Sequence, residues 1–105
     1  MSLDLSSFAD VKVFADEFKQ KNIPLDMLIL NAGVMAPAYG LTKDGFETQI
    51  GTNHFGHFLL VKCFTPLIKS SKTRVVHVSS VLHAYSYPEG IRFDSFSSND
   101  GYDPM

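Results

Sequence analysis

The chain contains a single cysteine, Cys63, and no tryptophan. One thiol cannot close an intrachain disulfide, so a secreted disulfide scaffold is excluded and a reducing compartment fits better. Basic residues are in slight deficit: nine Lys and Arg against eleven Asp and Glu leave a formal charge of -2. The pI is near 6.0, and the cations are scattered rather than gathered into a stripe, so nucleic acid is not expected as a partner. Long apolar runs are also missing. Residues 27–36 and 58–68 are the most apolar stretches; both are too short to span a bilayer, and Lys62 interrupts the second. The opening "MSLDLSSFAD" has neither the basic n-region nor the apolar h-region of a signal peptide. A cytoplasmic location, or one on the cytosolic face of a membrane, is the resulting expectation.

What remains is ordinary globular composition, 45% hydrophobic and 19% charged over 105 residues, which allows one small core. No internal repeat, low-complexity tract or linker divides it. Residues 2–5, "SLDL", read as the tail of a strand already under way at Met1. In "SSFADVKVFADEFKQKN" the apolar residues Phe8, Val11, Phe14, Ala15 and Phe18 recur every three or four positions. With Ser7 ahead of them and Asp10 three residues on, this predicts a capped amphipathic helix whose stripe faces a sheet. Pro24 ends it. "MLIL", residues 27–30, is a continuous apolar run of the kind a central parallel strand shows when both its faces are covered.

"GVMAPAYG" reads as a loop, and Thr42 is placed to cap a long helix reaching about Lys69, with Pro66 expected to kink or close its last turn. "TRVVHVSS" predicts a second strand, rich in the β-branched residues that suit a pleated surface. Strand, helical crossover and strand make a βαβ unit with parallel strands, so the fold class is α/β. Residues 81–105 have no sustained period and read as a long loop of the active-site type.

Four patterns are candidates for chemistry. "GTNHFGH" has two glycines at phosphate-loop spacing but lacks the Lys and Ser or Thr that reach phosphate and metal. His54, His57, His77 and His83 could contribute to a zinc site only with further ligands in defined geometry, and no metal site is expected. Ser79 or Ser80 as a hydrolytic nucleophile would need a base and an oxyanion hole, and no Gly-x-Ser-x-Gly elbow surrounds them. Serine at a strand end is otherwise commonplace, because its hydroxyl satisfies nearby backbone. The fourth pattern is distributed: "NAG" after the first strand, "TNHFGHF" in the helix and "SS" after the second strand, all directed to the carboxyl edge of a parallel sheet, where ligands bind.

In this order and spacing the segments resemble the short-chain dehydrogenase/reductase family. "LTKDGFETQIGTNHFGHFLL" is most similar to its retinol dehydrogenase and WW-domain oxidoreductase group. The resemblance implies a Rossmann-type doubly wound parallel sheet, of which this chain holds the central βαβ portion. It implies that Asp4 contacts the adenine of NAD or NADP and that Asn31, Ala32 and Gly33 border the cofactor. It further implies that Asn53 bends the helix and holds a proton-relay water, and that Ser80 polarises the substrate carbonyl or alcohol. It implies as substrate a small-molecule alcohol or carbonyl, of which a retinoid- or steroid-like one is the nearest class, and a dimer formed through the helix around residues 43–69.

Two parts of the family pattern are not found. None of the seven glycines forms the Thr-Gly-x-x-x-Gly-x-Gly turn that cradles pyrophosphate. Tyr39 and Lys43 have the Tyr-x-x-x-Lys spacing but precede the helix, and they carry no expected catalytic role. Tyr102 follows Ser80, but its partner position falls beyond Met105. The expectation is therefore that residues 1–105 are a partial NAD(P)-binding domain, a fragment inactive by itself, the alternative being a non-enzymatic module that pairs with a full-length relative. A lone βαβ unit leaves a sheet edge and apolar surface uncovered. Thermal melting followed by circular dichroism should show a shallow, low transition for the isolated chain, and a sharp cooperative melt well above room temperature would contradict it.

Overall fold

The structure is a computed structural model that describes residues 1–99 and 101–103. Helix α1, Phe8–Gln20, starts where Ser7 leaves extended backbone, and the Ser7 hydroxyl accepts from the Asp10 N–H at 3.3 Å, as the Ser-x-x-Asp spacing predicts. A second cap comes from far along the chain. The Asp44 carboxylate accepts from the Phe8 N–H at 2.8 Å, taking up another donor that the first turn leaves unpaired. Val11 and Ala15 of this helix are completely buried.

Strands β1, Met27–Leu30, and β2, Arg74–His77, pair in parallel as a two-stranded sheet, Met27 opposite Arg74 and Leu30 opposite His77. The crossover between them carries a helical stretch in three parts: α2 (Thr48–Ile50), a wider π-type turn (Gly51–Phe55) and α3 (Gly56–Ser71). The core joins Leu5, Val11, Ala15, Leu30, Leu60 and Phe64, with Leu28 and Val75 packed against it. The stripe of α1 meets α3 as well as the sheet. Phe14 and Phe18 present their rings edge-on to Phe64 at centroid distances of 6.3 and 5.4 Å, an arrangement aromatic quadrupoles favour.

Several sequence expectations are corrected. Residues 2–5 form no strand: among the described residues no neighbouring strand lies beside them, and a strand needs a partner for its ladder. Leu5 is buried instead by contact with the start of α3, where a Cβ on Gly56 would collide with the Leu5 carbonyl oxygen. The long helix begins at Thr48, capped by Glu47, whose carboxylate accepts from the Gln49 and Ile50 N–H groups at 2.8 and 2.9 Å. Thr42 closes a tight turn, accepting the Phe46 N–H on its hydroxyl at 3.2 Å and donating its own N–H to the Phe46 carbonyl at 2.7 Å.

Pro66 does not close the last turn; α3 runs through it to Ser71. Proline takes away the N–H that would bond the Lys62 carbonyl, but Lys62 and Pro66 share the exposed face, where water can replace that bond. The strands are covered on one face only. Met27 is 51% and Ile29 58% exposed, so "MLIL" is not the doubly covered strand its run predicts. Residues 81–99 carry more regular structure than a plain loop, with 3₁₀ turns at Val81–Tyr85 and Phe93–Ser95 and a bridge between Tyr87 and Gly90. Asp100, Pro104 and Met105 lie outside the described residues.

Gly56→Ala should destabilise the fold by roughly 1–3 kcal/mol, the usual cost of forcing a methyl into a packed contact. Urea unfolding measures this, and an unchanged midpoint would be incompatible with the close approach of Leu5.

Candidate functional site

A parallel βαβ unit sends both of its strands toward one edge, and the loops after them meet there. β1 leaves its last residue, Leu30, for the exposed loop Asn31, Ala32 and Gly33, while the Val78 N–H beyond β2 still donates to the Leu30 carbonyl at 3.1 Å. Ser79 and Ser80 follow directly. The helical N-terminus is tied to the same edge by Asn53, whose Oδ1 accepts from the Val34 N–H at 2.8 Å and whose Nδ2 donates to the Val34 carbonyl at 2.9 Å. Gly33 has to be bare here. A Cβ on it would stand 2.9 Å from the Asn53 Oδ1.

Asn53 sits in the middle of the π-type turn, where a wider spiral replaces the regular ladder. The His57 Nδ1–H donates to the Asn53 main-chain carbonyl at 3.1 Å; because a carbonyl only accepts, the proton must be on Nδ1. His57 is buried, and burial first, with the nearby His77 and His54 adding to it, pushes its pKa below the ordinary histidine value.

Ser80 is exposed and extended, at φ −143° and ψ 150°, and its Oγ accepts from the Leu82 N–H at 3.2 Å, starting the 3₁₀ turn. That contact uses acceptor capacity and leaves the O–H as a donor. His83 does not form a base pair with this hydroxyl: its Nδ1–H donates instead to the Ser80 carbonyl at 2.7 Å.

Asp4 lies at the entry to α1. Its Oδ1 accepts from the Ser6 N–H at 2.9 Å and the Ser6 hydroxyl at 2.6 Å, and Lys43 Nζ is 3.3 Å from its Oδ2. The Ser6 bonds, and after them the Lys43 ammonium, hold its carboxyl below the usual range.

Sequence reasoning did not find three further participants. Gln49 accepts the Ala36 N–H on Oε1 at 3.1 Å and donates from Nε2 to the Tyr102 hydroxyl at 3.2 Å, and that hydroxyl donates to the Pro37 carbonyl at 3.0 Å. Tyr102 also meets Tyr39 edge-on at 5.3 Å. These contacts tie the loop after β1 to the segment after Ser80, and only contacts distant in sequence reveal them. His57 was legible in principle, four positions from Asn53 and therefore over the same helix face. Beside this latch a cavity of about 530 Å³ opens between Glu47, Ile50, Tyr87, Arg92 and Phe96. Among the described residues no cluster of three His, Cys, Asp or Glu could hold a metal, and no helix is long and apolar enough to cross a membrane.

Loops gathered at the carboxyl edge of a parallel sheet, with helices packed on its face, define part of a Rossmann-type nucleotide-binding α/β fold. The family described as short chain dehydrogenase matches residues 1–95. The chain is 44% identical over 108 residues to Short-chain dehydrogenase TIC 32 A, chloroplastic, of Brassica napus, an alignment covering 97% of this chain and 34% of that protein. It is 46% identical over 101 residues to Retinol dehydrogenase 14 of Homo sapiens, covering 95% and 29% of the two. A metagenomic short-chain oxidoreductase solved in complex with NADP superposes with a TM-score of 0.65 at 22% identity, covering 86% of this chain and 42% of that one; at that identity the likeness is one of fold. The chain belongs to the short-chain dehydrogenase family, and it spans about a third of the length of these curated relatives.

A nicotinamide dinucleotide is the group that this family implies, and the residues present fit part of it. Asp4 offers a half-exposed carboxylate, and Gly33 keeps the loop after β1 free of a side chain next to Asn53. The glycine turn for the pyrophosphate is not in this sequence.

Because the folded pKa of His57 lies below its unfolded value, its contribution to stability is complete above about pH 6.5 and is lost as pH falls below that. Lowering pH from about 7.5 to about 5.5 should therefore lower the melting temperature of the native chain more than that of His57→Gln. Parallel declines would contradict a buried neutral imidazole.

Proposed function

We propose that residues 1–105 are the central part of an NAD(P)-dependent oxidoreductase domain that interconverts an alcohol and a carbonyl, retinoid- or steroid-like substrates being the class favoured by the likeness to Retinol dehydrogenase 14. The observation that carries this is the Asn53–Val34 clamp, which fastens the loop after β1 to the π-type turn at the edge where Ser80 emerges. The bound nicotinamide would supply the hydride donor or acceptor. Ser80 donates its O–H to the substrate oxygen, stabilising the negative charge that develops there. Asn53 holds a proton-relay water, beside the bond that His57 makes to its main-chain carbonyl. Asp4 accepts from the adenine, and the loop of Asn31, Ala32 and Gly33 borders the cofactor. A cytosol-facing, reducing compartment belongs to the same reading.

With neither the glycine turn nor a Tyr-x-x-x-Lys pair after Ser80, this span is read as insufficient for turnover by itself. A second reading, a module that pairs with a full-length relative, is favoured by the apolar sheet face of Met27, Ile29, Val76 and Val78, which are 51%, 58%, 37% and 51% exposed. Dimerisation through the helix around residues 43–69 would be one form of it.

Grafted into Retinol dehydrogenase 14 in place of the matching span, the chain should support NAD(P)H-coupled turnover, and Ser80→Ala in that chimera should lower kcat by about 10²–10³. A well-folded chimera without activity, or one indifferent to Ser80→Ala, would count against the oxidoreductase reading. Calorimetric titration of the ungrafted chain should show no tight binding of NADH or NADPH.

A further inference from the structure

Residues 42–46 are anchored both within themselves and onto the segment that carries Asp4. Thr42 and Phe46 close the turn through two hydrogen bonds, the Gly45 N–H donates to the Thr42 carbonyl at 3.0 Å, and Gly45 adopts φ +85°, a conformation that suits glycine. From this turn the Lys43 N–H donates to the Ser6 carbonyl at 3.1 Å, Asp44 caps α1 at Phe8, and the Phe46 ring meets Phe8 at 5.8 Å. The Lys43 backbone is thereby anchored, and its ammonium lies 3.3 Å from both Asp4 Oδ2 and Asp10 Oδ2.

A carboxylate offers about four acceptor sites on its two oxygens. At Asp4 the Ser6 N–H and O–H fill two on Oδ1, and Lys43 fills one on Oδ2. One site is left, on the oxygen that Lys43 contacts, and the side chain is 44% exposed, so it can be reached from outside. With Oδ1 held by both Ser6 donors, a single remaining acceptor on Oδ2 suits one N–H donor. We propose that Lys43 is a positioning residue for adenine recognition, holding the Asp4 carboxylate so that its one open acceptor faces the 6-amino group; this rests on the reading of Asp4 as the adenine contact. Without the ammonium, Oδ2 has two open sites and the carboxylate gains freedom to be solvated in other directions.

The test uses the whole chain and two probes, adenosine 5′-monophosphate and inosine 5′-monophosphate, whose 6-oxo group accepts where the amine donates. Binding is followed by amide chemical shifts at residues 4–8, with the rest of the spectrum reporting the fold. The native chain should prefer the adenine nucleotide by roughly tenfold, as expected for a hydrogen bond to a charged acceptor. Asp4→Asn should abolish the preference. Lys43→Ala, and independently Lys43→Gln, should reduce it to within about twofold, and Lys43→Arg should restore it.

No preference in the native chain, or a preference that survives Asp4→Asn, overturns the reading of Asp4 and the proposal with it. If Asp4→Asn abolishes the preference while Lys43→Ala and Lys43→Gln retain it, the assignment of Lys43 alone falls. Equal weakening of both nucleotides in the Lys43 variants, with the preference intact, also overturns it, since that is the signature of a lost charge near the phosphate rather than of a reoriented carboxylate.

Discussion

The paired hydrogen bonds between the Asn53 amide and the backbone of Val34 are the constraint on which the arrangement of this edge depends. A loop leaving a strand has its own N–H and C=O groups to satisfy, and here one side chain satisfies both at a single residue. The same contact requires glycine at position 33, and it draws the helical start toward the sheet at the point where the spiral widens into its π-type turn. Insertion of an extra residue per turn usually weakens a helix. In this chain the two external bonds to Val34 and the His57 bond to the Asn53 carbonyl accompany it, so the local defect is held by partners outside the helical ladder.

Energetically the molecule is one-sided. α1 and α3 cover one face of the two-stranded sheet, where Leu28, Leu30 and Val75 join Val11, Ala15 and Phe64, and the opposite face carries Met27, Ile29 and Val76 largely in water. Two strands supply few ladder bonds, and small sheets need cover to be stable. The helix pair therefore contributes most of the apolar burial. This explains why Phe64, in ring contact with both Phe14 and Phe18, lies at the centre of the core and why Leu5, outside any regular element, is drawn under α3.

Much of this was legible in the sequence where a local pattern coincided with a local cause. Ser7 and Asp10 announced the start of α1, its apolar spacing named the buried side chains, and a continuous apolar run and a β-branched one located the two strands. The errors arise where the deciding partner is distant. Thr42 and Glu47 are both plausible caps for the long helix, and the choice was made by the closing of the Thr42–Phe46 turn and by the Glu47 N–H, which donates to the Phe96 carbonyl at 2.6 Å. "MLIL" looks equally apolar whether one face or two are covered, so its exposure could not be read from its letters. Pro66 does not end the helix, because the carbonyl it leaves unpaired lies on the exposed face. As for the candidate site, the motif residues were visible as motifs, whereas the contacts of Lys43 with Asp4 and of Gln49 with Tyr102 carry no signal without the fold that makes them.

The serine pair at the end of β2 illustrates how hydrogen-bond inventory constrains chemistry more tightly than residue type does. A nucleophilic serine needs a base accepting from its hydroxyl. His83 is three residues away and in contact, yet it spends its Nδ1 proton on the Ser80 carbonyl, so it fixes the backbone and leaves Oγ alone. The Leu82 N–H supplies Oγ with a donor, which withdraws electron density from the oxygen and makes its own O–H a better donor. Both contacts argue in one direction: the hydroxyl at this edge is arranged to give a hydrogen bond, and the loop that follows is held by the same residue's carbonyl. Losing the hydroxyl would therefore remove both the donor and the Leu82 contact that starts the 3₁₀ turn, while His83 kept its bond to the Ser80 carbonyl.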